Sequence, residues 1–250
     1  SEDLIEIDDK IKRSKEDIDL LLQLKDKENP LKAMKEGVED ISLEDLAARA
    51  LAFPFEKIDG EIKALVEAKD KNNSKIQNID SKIGELKPWE DLSSSLDGLN
   101  NMGSVNIYTG TVSSNHAAEF ESEFIKNDLA YLDRVSKDKN FYYYLMIVEK
   151  SVDADVKSLF SSYGFTPINI KADGKVKDKI ESYERDKEFL YEKNKNIEED
   201  LKTYLKYLED FKFSYEFYRN EKIKIMSERK FLKTTELDLI EGYVPSDKLE

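Results

Sequence analysis

The chain has 250 residues, enough for one large domain or two small ones, with 54 Asp and Glu against 40 Lys and Arg. The net charge of −14 disfavours a nucleic-acid partner, whose phosphates it would repel, and equally disfavours direct binding to anionic lipid. There is no cysteine, which excludes disulfides and thiolate metal sites, and the longest apolar run, residues 141–148, falls well short of the ~20 residues a membrane helix needs.

Residues 2–28 predict a first helix, with Leu4, Ile7, Ile11, Ile18 and Leu21 at heptad positions and Ser14 and Lys25 as polar interruptions. Asn29-Pro30 ends it, because the residue before a proline is pushed out of the α region. A mixed connection, 31–42, contains Gly37. Ser42-Leu43-Glu44-Asp45 then carries an N-capping signature and opens a short helix over 43–51, which Phe53-Pro54-Phe55 breaks.

A second long helix is predicted over 55–87. Its stripe is Ile58, Ile62, Leu65, Ile76, Ile79, Ile83 and Leu86, in alternating steps of three and four. Lys69 and Asn72 occupy heptad positions within it. If Leu86 meets Val176 on a returning helix, Lys69 falls near Asn194, and a polar layer there fixes register at some loss of stability.

Lys87-Pro88-Trp89 stops that helix, and a Ser/Gly/Asn-rich loop follows over 90–103, pinned by Leu92, Leu96 and Leu99. The period then changes from 3.6 to 2. A strand begins at Val105, a helix covers 115–127, a strand runs 129–136, Asp138-Lys139-Asn140 turns, and a buried strand covers 141–148. Ser151 caps a helix to about 162, Gly164 ends it, and 165–170 form a last strand. The order β-α-β-β-α-β is that of a ferredoxin-like lobe, expected as a four-stranded antiparallel sheet covered by two helices.

A third long helix starts after Asp173-Gly174, runs to about 210, and keeps its pattern to about 230. Its stripe is Val176, Ile180, Tyr183, Leu190, Ile197, Leu201, Tyr204, Leu208, Phe211, Tyr215, Tyr218 and Ile225. The series Tyr204, Tyr207, Phe211, Phe213, Tyr215, Phe217 and Tyr218 is denser than a two-helix seam needs, so helices 2–28 and 43–51 are expected to pack there. Thr234-Thr235 breaks the helix, and a final strand around Leu237 and Leu239 is ended by Gly242-Tyr243-Val244-Pro245. One strand cannot stand alone, so it is assigned to a second lobe lying mostly outside this chain. Ser1 and Glu250 both read as cuts.

The expected fold is therefore α+β and mostly α: a long antiparallel coiled-coil hairpin with an inserted ferredoxin-like lobe at its tip and a truncated second lobe at its base. The divisions are 1–87 for the ascending helices, 88–172 for the lobe, 173–233 for the returning helix and 234–250 for the remnant strand.

Little in the sequence points to chemistry. His116 is the sole histidine, which leaves transition metals without their usual ligands. Gly98, Gly103 and Gly110 are too scattered for a phosphate loop. No catalytic, cofactor or metal site is assigned, and no small-molecule ligand is expected. Trp89, the only tryptophan, reads first as a plug sealing the lobe against the helix end, and second as a partner contact. Glu119, Glu123 and Lys157, on the predicted helices of the lobe, are further partner-contact candidates.

Two stretches carry a family resemblance. Residues 228–249, through Thr235 and the Gly242-Tyr243-Val244-Pro245 turn, resemble the end of the cytoplasmic domain of subunit I in V/A-type ATPases, the counterpart of the eukaryotic a subunit. Leu86-Lys87-Pro88-Trp89 through Gly110 resembles the same family's helix end, leucine-pinned loop and strand. The resemblance implies a non-catalytic stator arm on the cytoplasmic face of the membrane. Its partners would be the peripheral-stalk heterodimer, the cap subunit of the central stalk and the subunit's own membrane domain. Two other readings stay open: a small-molecule-sensing ferredoxin-like module, and a generic coiled-coil tether. The sensor reading calls for a polar cleft near Ser113-Ser114-Asn115-His116.

Overall fold

Residues three and four apart lie on one side of a helix, and the long apolar stripes fold accordingly. In the computed structural model, residues 2–28, 41–92, 103–171, 174–228, 232–233 and 238–239 are described. They form a mostly helical α+β structure with a four-stranded antiparallel sheet. Helices α1 (Glu2–Glu28), α2 (Leu43–Ala52) and α3 (Phe55–Leu86) come first, and a 3-10 turn at Lys87–Trp89 closes α3. The order continues β1 (Val105–Ser113), α4 (Ala117–Phe124), β2 (Ala130–Lys137), β3 (Phe141–Glu149), α5 (Asp153–Tyr163) and β4 (Thr166–Pro167). Helix α6 (Val176–Lys202), a 3-10 segment (Thr203–Tyr207) and α7 (Leu208–Glu228) follow, then β5 (Leu232–Lys233) and β6 (Asp238–Leu239). The chain divides into two compact units, residues 1–70 with 194–250, and residues 71–193.

The first unit is a helical bundle. Its core joins Leu21 and Leu24 of α1, Phe53, then Phe55, Ile58 and Ile62 of α3, Leu201 of α6, and Leu208 and Phe211 of α7. Phe211 makes edge contacts with Phe53 (5.0 Å between ring centres) and Phe55 (5.7 Å), and the Arg49 guanidinium of α2 lies 4.8 Å from the Phe213 ring. The surplus of aromatic residues on α7 is thus taken up by α1 and α2, as expected. Ser42 caps α2, its hydroxyl accepting from Asp45 N–H at 3.1 Å. Polar residues on the stripes bond across helices: Lys69 of α3 with Glu198 of α6, and Lys222 of α7 with Asp8 of α1. Lys69 therefore meets a residue one turn beyond Asn194.

The second unit holds the sheet, in the order β2-β3-β1-β4. Side chains alternate across it. Tyr144, Met146 and Val148 face a core with Phe120 and Phe124 of α4 and Val156 of α5. Leu145 faces the other way, into a cluster with Leu86, Trp89, Leu92, Val176 and Ile180. The sheet is thus covered by α4 and α5 on one face and by the ends of α3 and α6 on the other. In this unit Lys187 of α6 reaches Asp80 of α3 at 3.1 Å.

Several boundaries differ from expectation, each for a local reason. The helix expected over 115–127 is confined to Ala117–Phe124. Ser151 does not cap α5: it lies inside a 3-10 turn, Lys150–Val152, and α5 begins at Asp153 without a side-chain cap. Gly164 does end α5, in the left-handed conformation (φ 65°) that glycine adopts without strain. Strand β4 pairs over only two residues, Thr166 and Pro167, though Ile168 N–H still donates to Thr109 O at 2.8 Å. The returning helix is interrupted at Thr203–Tyr207, where the Thr203 hydroxyl donates to Asp200 O at 2.6 Å and the turn tightens. The final strand has a partner in this chain, since β6 pairs antiparallel with β5 through Leu232↔Leu239 and Lys233↔Asp238. Leu96, Leu99, Gly37, Asn29-Pro30 and Thr234-Thr235 lie outside the described residues.

Candidate functional site

Helices α4 and α5 present the lobe's outer surface, and two ion networks fix them to the sheet. Arg134 on β2 donates twice to Glu121 of α4, at 2.8 and 2.5 Å, and Tyr144 O–H donates to the same carboxylate at 2.7 Å. Burial pushes the Glu121 carboxyl up, but the bonds from Arg134 and Tyr144 outweigh it and hold it below the usual range. Burial and the Glu121 contact push the Tyr144 hydroxyl far up, so it stays protonated. On α5, Lys157 pairs with Asp153 at 2.8 Å, and the same carboxylate accepts from Tyr108 O–H (2.5 Å) and Asn106 (2.8 Å) on β1. These bonds, Lys157's first, hold the Asp153 carboxyl down at about 2.

The expected contact residues therefore differ in character. Glu119 is exposed. Glu123 is half-buried and pairs with Lys126 at 2.6 Å. Lys157 is exposed but already committed to Asp153. Trp89 is 1% exposed, its ring edge-on to Tyr143 at 5.6 Å, so it is the plug and offers a partner no surface. Thr235, Gly242, Tyr243, Val244 and Pro245 lie outside the described residues.

Three exposed apolar residues are absent from that list, and one of them, Tyr131, stands opposite Ile147 of β3 and so on the sheet face away from α4. Ile125 ends α4 at 70% exposure, Leu129 precedes β2 at 52%, and Tyr131 lies on β2 at 57%. Ile125 also shares a shallow hollow with Ala118, Glu121, Ser122, Leu132 and Arg134. The signal in the sequence was Ile125 and Leu129 on either side of the polar Lys126-Asn127-Asp128. Reading them as element ends hid that their side chains stay outside.

His116 sits at the start of α4 without a side-chain cap bond. A cleft of about 740 Å³ opens among Leu86, Trp89, Tyr143, Ile168 and Tyr183, on the sheet face opposite α4 and α5, not at residues 113–116. Among the described residues, no group of three or more His, Asp or Glu could hold a metal ion, and no helix is long and apolar enough to cross a membrane.

No protein-family model matches the sequence, and no curated protein matches it. Among solved structures the chain is similar to the crystal structure of the cytoplasmic N-terminal domain of subunit I, homolog of subunit a, of V-ATPase. The identity is 13% over 88% of this chain and 73% of that one, with a TM-score of 0.45.

Proposed function

We propose that this chain is the non-catalytic stator arm of a rotary V/A-type ATPase, linking the membrane ion-channel domain to the peripheral stalks at the cytoplasmic face. In this reading α3 and α6 form an antiparallel coiled coil, and residues 88–172 are a ferredoxin-like lobe at its tip. The strand order β2-β3-β1-β4 with two helices on one face supports the lobe assignment.

The observation that carries the reading is the seam. Every residue of both apolar stripes is buried or half-buried. In each unit α3 and α6 also pair in opposite directions with one register: Asp80 with Lys187 in one, Lys69 with Glu198 in the other, both partners stepping by eleven residues. A helix pair tied at intervals by such bonds resists bending and twisting, which is what an element opposing torque needs. The resemblance of residues 228–249 to subunit I supplies the machine to which such a strut belongs.

The surface of α4 at Ile125, with the hollow it shares with Ala118 and Leu132 and with Glu119 on the same helix, is the proposed seat of the peripheral-stalk heterodimer; the central-stalk cap is a second partner. Solvent-exposed apolar residues bordered by charge suit a docking surface. The test is co-purification. The tagged subunit carrying this chain, extracted in detergent from its own membrane, should bring down the peripheral-stalk pair. Recovery without stalk subunits, under conditions that keep the catalytic head intact, would contradict the reading.

A further inference from the structure

The helical unit buries two carboxyl groups that no stator role requires. Asp17 of α1 is 3% exposed and Asp59 of α3 is 1% exposed. Cations reach only one of them. Arg13 bonds Asp59 Oδ2 through both Nε and Nη2, and Lys63 Nζ lies 3.2 Å from Asp59 Oδ1. Asp17 lies one turn beyond Arg13 on α1, beside Asp59, and Asp17 Oδ2 and Asp59 Oδ1 are both buried without a hydrogen-bond partner. Two ionised carboxylates cannot share such a site, because each would lack solvation and repel the other.

We propose that Asp17 and Asp59 share a single proton, which makes them an alkaline-sensitive latch between α1 and α3. With the proton in place, neutral Asp17 donates to the Asp59 carboxylate, and Arg13 and Lys63 balance the one remaining charge. Loss of the proton to solvent leaves two facing anions, and α1 is driven from α3.

The groups around the latch agree with this assignment. On α1, Arg13 also bonds Asp9 (3.1 Å) and Glu56 of α3 (2.6 Å), and Lys10 pairs with Glu56, so neither cation is spare for Asp17. On α7, which packs along α1, buried Ser214 is polar, while Lys222 pairs with Asp8, Lys212 with Glu209, and burial pushes the Asp210 carboxyl up against the pull of Arg49 of α2. In the 3-10 segment the Tyr204 hydroxyl donates to Glu61. Burial first, and then Asp59, push the Asp17 carboxyl up to about 8, while the bonds from Arg13 and Lys63 outweigh burial at Asp59 and hold it down.

The sign of the pH effect follows. Between the ordinary carboxyl value of 3.8 and about 8 the folded chain binds a proton that the unfolded chain does not. Asp17 therefore stabilises the fold relatively at low pH, and stability falls as pH rises through that window, then levels above it. The test takes the 250-residue chain, wild type and Asp17→Asn, which is isosteric, neutral at every pH and still able to donate. Urea melts at half-unit steps from pH 5.5 to 9.5 should show the wild-type folding constant falling up to about tenfold per unit until about pH 8. The ratio of variant to wild type should rise by the same factor. Side-chain carboxyl NMR of the wild type should show Asp17 titrating near 8, a reading that stands even if the variant does not fold. Asp17 titrating near 4, or an Asp17→Asn melt series parallel to wild type, would overturn the proposal.

Discussion

Leu201 shows what one seam position does. It is 2% exposed and sits in the core with Ile58, Ile62 and Leu208. Leu201→Asp should remove roughly 3–5 kcal/mol, because it forfeits apolar packing and buries an unpaired carboxylate. Glu199→Lys, two residues away on the exposed side, should change stability by about 0.5 kcal/mol or less. Urea midpoints for the pair check both, and equal midpoints would place Leu201 outside a packed seam. Asp153 makes a second residue-scale prediction. Its carboxyl is held at about 2 by Lys157, Tyr108 and Asn106, so its contribution is present above the ordinary value of 3.8 and is lost as pH falls through 2. In a carboxyl NMR titration it should be among the last groups to protonate, and α5 should loosen from β1 with it; protonation near 4 would break the network. Residues of this kind were the least legible in the sequence. Lys69 could be read as a seam residue from its heptad place, but nothing in the spacing of Asp8, Asp9, Asp17 and Asp19 says that only Asp17 among them turns inward.

At the scale of elements, hydrophobic period gave the helices and the three long strands, because burial on one face is a repeating constraint. Ends were harder. Ser151 has the chemistry of a cap, yet the chain spends it in a 3-10 turn, and β4 pairs with β1 over only Thr166 and Pro167. Contacts between elements are equally silent in the sequence. At Gly110 on β1 a Cβ would run into Thr166 O and the Phe165 ring, so β4 can lie against β1 only because that side chain is absent. Gly110→Ala should cost about 1–3 kcal/mol by forcing β4 away. A urea midpoint unchanged from wild type would show that β4 does not press on β1. Trp89 tests the junction of the sheet with α3. As the only tryptophan, buried to 1% exposure, it should emit in the blue and resist iodide quenching until the second unit unfolds. Red-shifted, readily quenched emission from the folded chain would contradict the plug.

At the scale of the whole molecule, charge and repeat say what kind of object this is more clearly than any single residue does. A chain with net charge −14 and two long apolar seams is suited to protein partners, and the exposure of Ile125 at the end of α4 came to light only in the structure. An aromatic residue such as Trp89 reads alike in a sequence whether it plugs a core or meets a partner; its burial was visible only in the structure. The central claim is that the lobe holds a peripheral stalk. The most direct measurement is a calorimetric titration of this chain with the cognate stalk heterodimer, beside Ile125→Asp and Glu119→Lys. The account predicts a roughly micromolar dissociation constant, since the assembled machine adds further attachments at high effective concentration. Ile125→Asp should weaken binding about tenfold or more, and Glu119→Lys should alter its salt dependence, with both variants still folded. No heat at high micromolar concentration, or binding indifferent to both substitutions, would contradict it.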